Sequence, residues 1–240
     1  MLKRPFCILF AAVRLKFVLQ VTHLMNHRVL AAVLFFGVLI GCVAETQTNK
    51  MSLAMDSPMN ERTDTATFAT GCFWCTEAIF EQLNGVLKVT SGYSGGKQPN
   101  PTYEEVSTGS TGYAECVQVV YEPAKISYDE LLEVFFEVHD PTSLNKQGAD
   151  EGPQYRSAIF YHDAAQKEKA EYYRRELDKS GAWSKPIVTE IAPFHRFYSA
   201  ESYHQDYYQN NKYSNPYCAM VIRPKLEKFQ KVFAKKLKKG

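Results

Sequence analysis

No acidic residue occurs before Glu45, whereas Lys3, Arg4, Arg14, Lys16 and Arg28 all lie ahead of it, so the overall charge of +2 misrepresents the 240-residue chain. From Cys42 onward, 23 basic side chains face 26 acidic ones, and such a body has no general attraction for nucleic acid. Cysteine is also sparse. Cys7 and Cys42 lie in the N-terminal segment, leaving Cys72, Cys75, Cys116 and Cys218 for the body. Only one CxxC pair forms among these, and a structural zinc site would call for a second clustered pair. The glycine-rich stretch Gly92-Tyr-Ser-Gly-Gly96 lacks the lysine and spacing of a phosphate loop. Its glycines are expected to permit close backbone approach instead.

The apolar run at residues 29–41 is shorter than the roughly 20 residues that cross a bilayer as a helix. It matches a signal-peptide core, with Asn26-His27-Arg28 as the positive region before it. Leu39-Ile40-Gly41-Cys42 resembles the lipobox of bacterial lipoproteins, which implies acylation of Cys42, a lipid anchor to a membrane and a periplasm-facing body. A cytoplasmic location is the alternative if the segment is not used for export. Met25 begins a compact lipoprotein signal by itself and is an alternative start. The expected organisation is a signal peptide over 1–41, a polar tether over 42–64, a catalytic domain over 65–221 and a basic amphipathic tail over 222–240, read as a solvated helix lying on its own domain, with contact to anionic lipid as the alternative.

Within the body, Thr65–Thr70 alternates as a strand does, Gly71 interrupts it, and Phe73–Leu83 has apolar residues at helical spacing. Cys72 is thereby expected at a strand-to-helix junction. Further strands are expected at 86–90, 116–121, 156–161 and 187–191, and helices at 127–138 and 164–177. The helix at 127–138 opens on a Ser127/Glu130 capping box and packs through Leu131, Leu132, Phe135 and Phe136. Two strand–helix–strand units with long loops predict an α+β fold. The form expected is a ferredoxin-like two-layer plait around a mixed, largely antiparallel sheet.

A helix N-terminus offers free N–H groups and a positive dipole end, and both favour a thiolate at Cys72. Phe73 and Trp74 beside it could wall a pocket for a methyl or thioether group. Judged on the residues alone, the Cys72/Cys75 pair also suits a thiol-disulfide oxidoreductase. Cys116, in an apolar strand, reads as a core side chain. His139 reads as a helix cap and His204 as a hydrogen-bonding group among tyrosines, neither with a proton-transfer role.

Gly71-Cys-Phe-Trp-Cys-Thr-Glu77 resembles the active-site signature of the peptide methionine sulfoxide reductase A family. The likeness continues through Gly92–Gly96, Tyr103–Val106, Thr108–Glu115, His139–Thr142, Asn145–Asp150, Gln154–Ser157 and Glu201–Gln205. It spans about residues 66 to 210. The resemblance implies that Cys72 attacks the sulfoxide sulfur, that Glu115 protonates its oxygen and that Tyr103 and Tyr155 hold that oxygen. It further implies that Phe73 and Trp74 receive the methyl group and that Asp150 orients the substrate. The implied reaction reduces the S epimer of methionine sulfoxide, free or in proteins, with electrons from a thioredoxin-like dithiol. For an exported enzyme that donor would be a periplasmic relay. No cofactor or metal is implied, and a monomer is expected. Two positions depart from the family pattern: Cys75 stands where glycine is common and Tyr113 where histidine is common.

The implied chemistry is coherent in its own right. A sulfoxide oxygen leaves only once protonated, so a thiolate and an acid are needed together, and burial would keep a proton on Glu115. The sulfenic acid left on Cys72 condenses with a second thiol. Cys218, in a Tyr-Ser-Asn-Pro-Tyr-Cys segment expected to be flexible, resembles the family's recycling cysteine. Cys75 is the alternative, expected to be held too rigidly one helical turn away. The competing readings of the whole chain are a general thiol-disulfide oxidoreductase and a lipid-anchored structural protein with static disulfides.

Overall fold

A computed structural model describes residues 9–20, 22 and 63–239. The proposed lipidation site Cys42, the apolar run and the tether therefore lie outside the described residues. Residues 9–20, read above as part of the export segment, form a helix, α1. It lies on the body: Phe10 is buried and stacks on Tyr173 at 4.5 Å, and the Tyr172 hydroxyl donates to the Val13 carbonyl at 3.2 Å. Among the described residues no helix is long and apolar enough to cross a membrane.

The chain proceeds through β1 (Asp64–Thr70), α2 (Phe73–Phe80), β2 (Val86–Ser94), α3 (Tyr103–Ser107), β3 (Ala114–Tyr121) and α4 (Tyr128–Val138). It continues with β4 (Lys146–Gln147), β5 (Asp150–Glu151), β6 (Ser157–Tyr161), α5 (Ala164–Lys179), β7 (Glu190–Pro193) and β8 (Phe197–Ser199), then α6 (Tyr207–Asn211) and α7 (Arg223–Val232). Strands pair in the order β7-β6-β1-β3-β2-β8. The central β6-β1-β3-β2 ladder is antiparallel throughout, and β7 adds in parallel to β6 after the α5 crossover. With α2 and α4 connecting its strands, this centre is the expected ferredoxin-like plait, and β7 and β8 extend it into a mixed sheet.

Alternation along each strand divides two packing faces. Phe68 points to the main core, where its ring lies 5.4 Å from Phe80 and 5.3 Å from Phe135. The next residue, Ala69, joins Ala114, Cys116, Ala158 and Phe160 in a smaller cluster. Cys116 is thus a core side chain. Burying one aromatic such as Phe68 contributes roughly 1.5–3 kcal/mol. Ser127 and Glu130 form the expected capping box on α4, and Leu131, Leu132, Phe135 and Phe136 are fully buried.

Three boundaries differ from expectation. β2 runs on through Gly92 to Ser94, because β8 covers its outer edge; a Cβ at Gly92 would sit 2.3 Å from the Tyr198 carbonyl oxygen. The strand expected at 187–191 forms at Glu190–Pro193, where β6 supplies its parallel partner. Residues 222–240 are also no separate tail. Leu226, Phe229 and Phe233 enter the main core, and the Asn84 N–H donates to the Lys236 carbonyl at 2.8 Å, stitching the C-terminus to the end of α2.

Candidate active site

Cys72 is the N-cap of α2, in a non-helical conformation (φ −56°, ψ 120°), and its carbonyl accepts the first helical bond from Thr76 N–H. Gly71 sets this turn with φ +95°, a left-handed conformation available to glycine; a Cβ there would also meet Gln147 Cβ at 2.6 Å. The free N–H of Phe73 donates to Glu115 Oε2 at 3.1 Å. A backbone donor orphaned at the helix start therefore ties the cysteine turn to β3.

Glu115 is 2% exposed. Burial pushes its carboxyl well above the usual range, and the charge of Cys72 adds to the shift, while the Phe73 N–H opposes it. The carboxyl therefore holds its proton to higher pH than an exposed glutamate does. Tyr103, at the start of α3, and Tyr155 both have raised pKa values, burial first and the Glu115 charge second, so both hydroxyls remain donors near the acid. Asp150 acts on Glu115 from β5. Cys72, Phe73, Glu115, Tyr103, Tyr155 and Asp150 thus converge, although they come from α2, β3, α3, β5 and the 3-10 turn Pro153–Tyr155.

The aromatic wall is fixed by His204, expected as a hydrogen-bonding group among tyrosines, and by Tyr207, to which the sequence gave no place in the site. Trp74 stacks on Tyr207 at 3.7 Å and 7°, and its Nε1–H donates to His204 Nδ1 at 3.1 Å. His204 also packs 5.1 Å from Phe73 and 4.4 Å from Tyr103, centroid to centroid. Burial lowers its pKa. Glu201 accepts from the Tyr103 N–H and the Tyr93 hydroxyl, both at 2.9 Å, and so anchors α3.

Tyr217 was missed altogether. Its hydroxyl donates to Asp150 Oδ2 at 2.8 Å, reaches the Cys72 thiol and lies edge-on to Trp74 at 5.9 Å. Nothing but its position before Cys218 could have marked it. His139 sits away from this group as the C-cap of α4. Its ring bridges the Phe135 carbonyl at 2.6 Å and the Ser157 hydroxyl at 2.7 Å, and burial lowers its pKa to about 4.

All four body cysteines are free and buried. Two expectations about them are corrected. Cys72 is not an isolated low-pKa thiol: burial, reinforced by the adjoining Cys75, pushes it up, and Cys75 is the partner whose pKa is lowered, chiefly by its hydrogen bond with Cys72. Desolvation here exceeds what the helix terminus supplies. Cys218 is not in a flexible segment. It opens a π-helical turn, Cys218–Ile222, with no exposed surface, and burial and the charge of Cys72 raise its pKa.

A cysteine at a helix start, beside a second thiol and close to a buried carboxyl whose proton burial favours, marks the protein as a thiol-dependent oxidoreductase with an acid to hand. Comparison with known proteins narrows this. The family model for peptide methionine sulfoxide reductase matches residues 64–237. The peptide methionine sulfoxide reductase MsrA of Saccharolobus solfataricus is 54% identical over 175 residues, 73% of this chain and 97% of that protein. An MsrA of Thermus thermophilus is 55% identical over 168 residues, 70% of this chain and 94% of its own length. Among solved structures, reduced Mxr1 from Saccharomyces cerevisiae is similar with a TM-score of 0.59 and 35% identity, over 65% of this chain and 90% of that one. Methionine sulfoxide reductase A of Corynebacterium diphtheriae is similar with a TM-score of 0.58 and 38% identity, over 64% and 77%. The chain belongs to the peptide methionine sulfoxide reductase family.

Proposed function

We propose that the protein reduces the S epimer of methionine sulfoxide, free or within proteins, through attack by Cys72 assisted by Glu115. Reduction of methionine sulfoxide follows from the family; the residue roles are our reading of the site. The observation that carries them is the Phe73 N–H bond to Glu115, which holds a protonated acid against the turn that bears Cys72. Cys72 loses its proton beside Cys75 and Tyr217, and its thiolate attacks the sulfoxide sulfur. Glu115 protonates the oxygen as the S–O bond weakens, with the Tyr103 and Tyr155 hydroxyls holding that oxygen. Phe73 and Trp74 receive the methyl group, and Asp150 orients the substrate with Tyr217. Methionine leaves, and Cys72 becomes a sulfenic acid. A second thiol converts it to a disulfide, and an external thioredoxin-like dithiol resets the enzyme by exchange.

Glu115→Gln tests this assignment directly. It should lower methionine release by about 10²- to 10⁴-fold, the usual value of a positioned acid, while Cys72 still alkylates in the folded protein. Retained sulfoxide reduction in Glu115→Gln, or reduction of protein disulfides by a variant lacking Glu115, would favour the general thiol-disulfide reading.

Export with lipidation at Cys42 is supported by the Leu39–Cys42 pattern and by the absence of acids before Glu45. A periplasmic dithiol relay would then be the electron source. The docking of α1 on α5 favours a retained N-terminus instead. Intact mass of the mature protein separates the two: a diacylglyceryl modification at an N-terminal Cys42 supports export, and an unmodified chain containing residues 9–20 excludes it.

A further inference from the structure

Helix α7 delivers a charge to the site. Lys225 Nζ lies 3.9 Å from Cys75 Sγ. Other lysines of this segment pair with carboxylates, Lys228 with Glu137 and Lys236 with Glu130 and Glu133. Lys225, half-buried, faces a sulfur instead. Four groups address the Cys75 thiol: Cys72 from the N-cap, Lys225 from α7, Asp150 from β5 and Tyr217 from the segment before the π-helical turn. The Cys72 bond, Lys225 and Tyr217 favour the thiolate, whereas Asp150 and burial oppose it.

Cys75 is also the thiol nearest to hand. It stands three residues along from an N-cap whose backbone is not yet helical, so the Cys72 side chain can swing to it without unwinding α2. The rigidity expected of two residues inside one helix does not apply, and residues three apart in a first turn fall within the reach of a disulfide. Cys218, by contrast, is locked in a packed turn between Tyr217 and Ile222, and its ionisation is opposed by burial.

Resting on the function proposed above, we propose that Cys75 rather than Cys218 closes the disulfide with Cys72, and that Lys225 is the residue that equips it to do so. The Cys75 thiolate attacks the sulfur of the Cys72 sulfenic acid. An S–S bond forms, the S–O bond breaks, and hydroxide takes a proton and departs as water. The oxidising equivalent comes from methionine sulfoxide, and the external dithiol later returns two electrons.

The test is one turnover of the full chain with methionine S-sulfoxide and no reductant, at pH 7 and pH 9. Methionine release, dimedone-trapped sulfenic acid at Cys72 and the mapped disulfide are followed separately. In the wild type the disulfide should join Cys72 to Cys75. Lys225→Met should prolong the Cys72 sulfenic acid by about three- to tenfold at pH 7, since a tenfold change in thiolate fraction follows each unit of pKa and reduced nucleophilicity offsets part of it. The defect should shrink at pH 9, and Lys225→Arg should restore closure, an outcome that loss of helix packing would not produce. A Cys72–Cys218 disulfide, or sulfenic acid that decays equally fast in Lys225→Met at pH 7, would overturn this inference alone. Absence of methionine release from the wild type would overturn the parent function instead.

Discussion

Burial raises the pKa of both Cys72 and Glu115, yet the proposed reaction uses the first ionised and the second protonated. For Glu115 the effect serves the chemistry outright. For Cys72 it opposes the chemistry, Cys75 adds to the rise and Tyr217 works against it, so a cysteine at position 75 alters the acid–base character of the site. A bell-shaped pH dependence of single-turnover methionine release should result. The rising limb reports proton loss from the thiol pair, and the falling limb proton loss from Glu115. Because Glu115 is shifted upward, its acid form persists well above pH 4.5, and a rate that already declined between about pH 4 and 5, the range of an ordinary glutamate, would contradict the assignment. The two carboxylates of the site divide in the same way: Asp150 takes the Tyr217 hydroxyl and is half-exposed, whereas Glu115 is enclosed.

Helix α2 holds more than the cysteines. Two residues beyond Cys75, Glu77 is 2% exposed, accepts a long bond from Tyr207 N–H at 3.4 Å and has its pKa raised to about 7, by burial above all. The unfolded chain loses this proton near 4.5, so between there and 7 only the native state holds it, and stability falls as pH rises through that window. Glu77→Gln removes the titration while keeping the shape. Urea unfolding at pH 5 and pH 8 should therefore show a smaller loss of stability with rising pH than the wild type, with Glu81, also raised to about 7, supplying what remains. Because Tyr207 stacks on Trp74, the same contact joins the helix to the pocket wall. On α4, Ser127→Ala removes a side chain that accepts from Glu130 N–H and should lower the unfolding free energy by about 1 kcal/mol, read from the urea midpoint.

At the scale of the molecule, the plait brings two distant stretches, residues 72–75 and 217–225, to the same place, and α7 is the fastening. Phe229 is 2% exposed in the main core, so Phe229→Ala should cost about 3–5 kcal/mol and be visible as a depressed thermal midpoint. Much of this architecture is legible in the sequence. Period-two apolar runs, the Gly71 break and the Ser127/Glu130 box place β1, α2, β3 and α4, because their determinants lie within a few residues of each other. The motif strings likewise single out Cys72, Glu115, Tyr103, Tyr155 and Asp150. Strand β7 starts three residues later than expected because β6, far back in the chain, decides which backbone groups it can bond. Short α3 was not anticipated, although Thr102 and Glu105 form a local capping box at its start; Glu201, nearly a hundred residues away, adds a bond from the Tyr103 N–H. For 222–240, charge and helical spacing describe an amphipathic helix lying on its own domain but not which surface it covers. Local sequence thus determined which residues are available for the proposed chemistry and where the longer helices begin. Tertiary structure decided the opposite pKa shifts of Cys72 and Cys75, the enclosure of Cys218, and the arrival of Lys225 and Tyr217, because desolvation and through-space charge depend on atoms that only folding brings near.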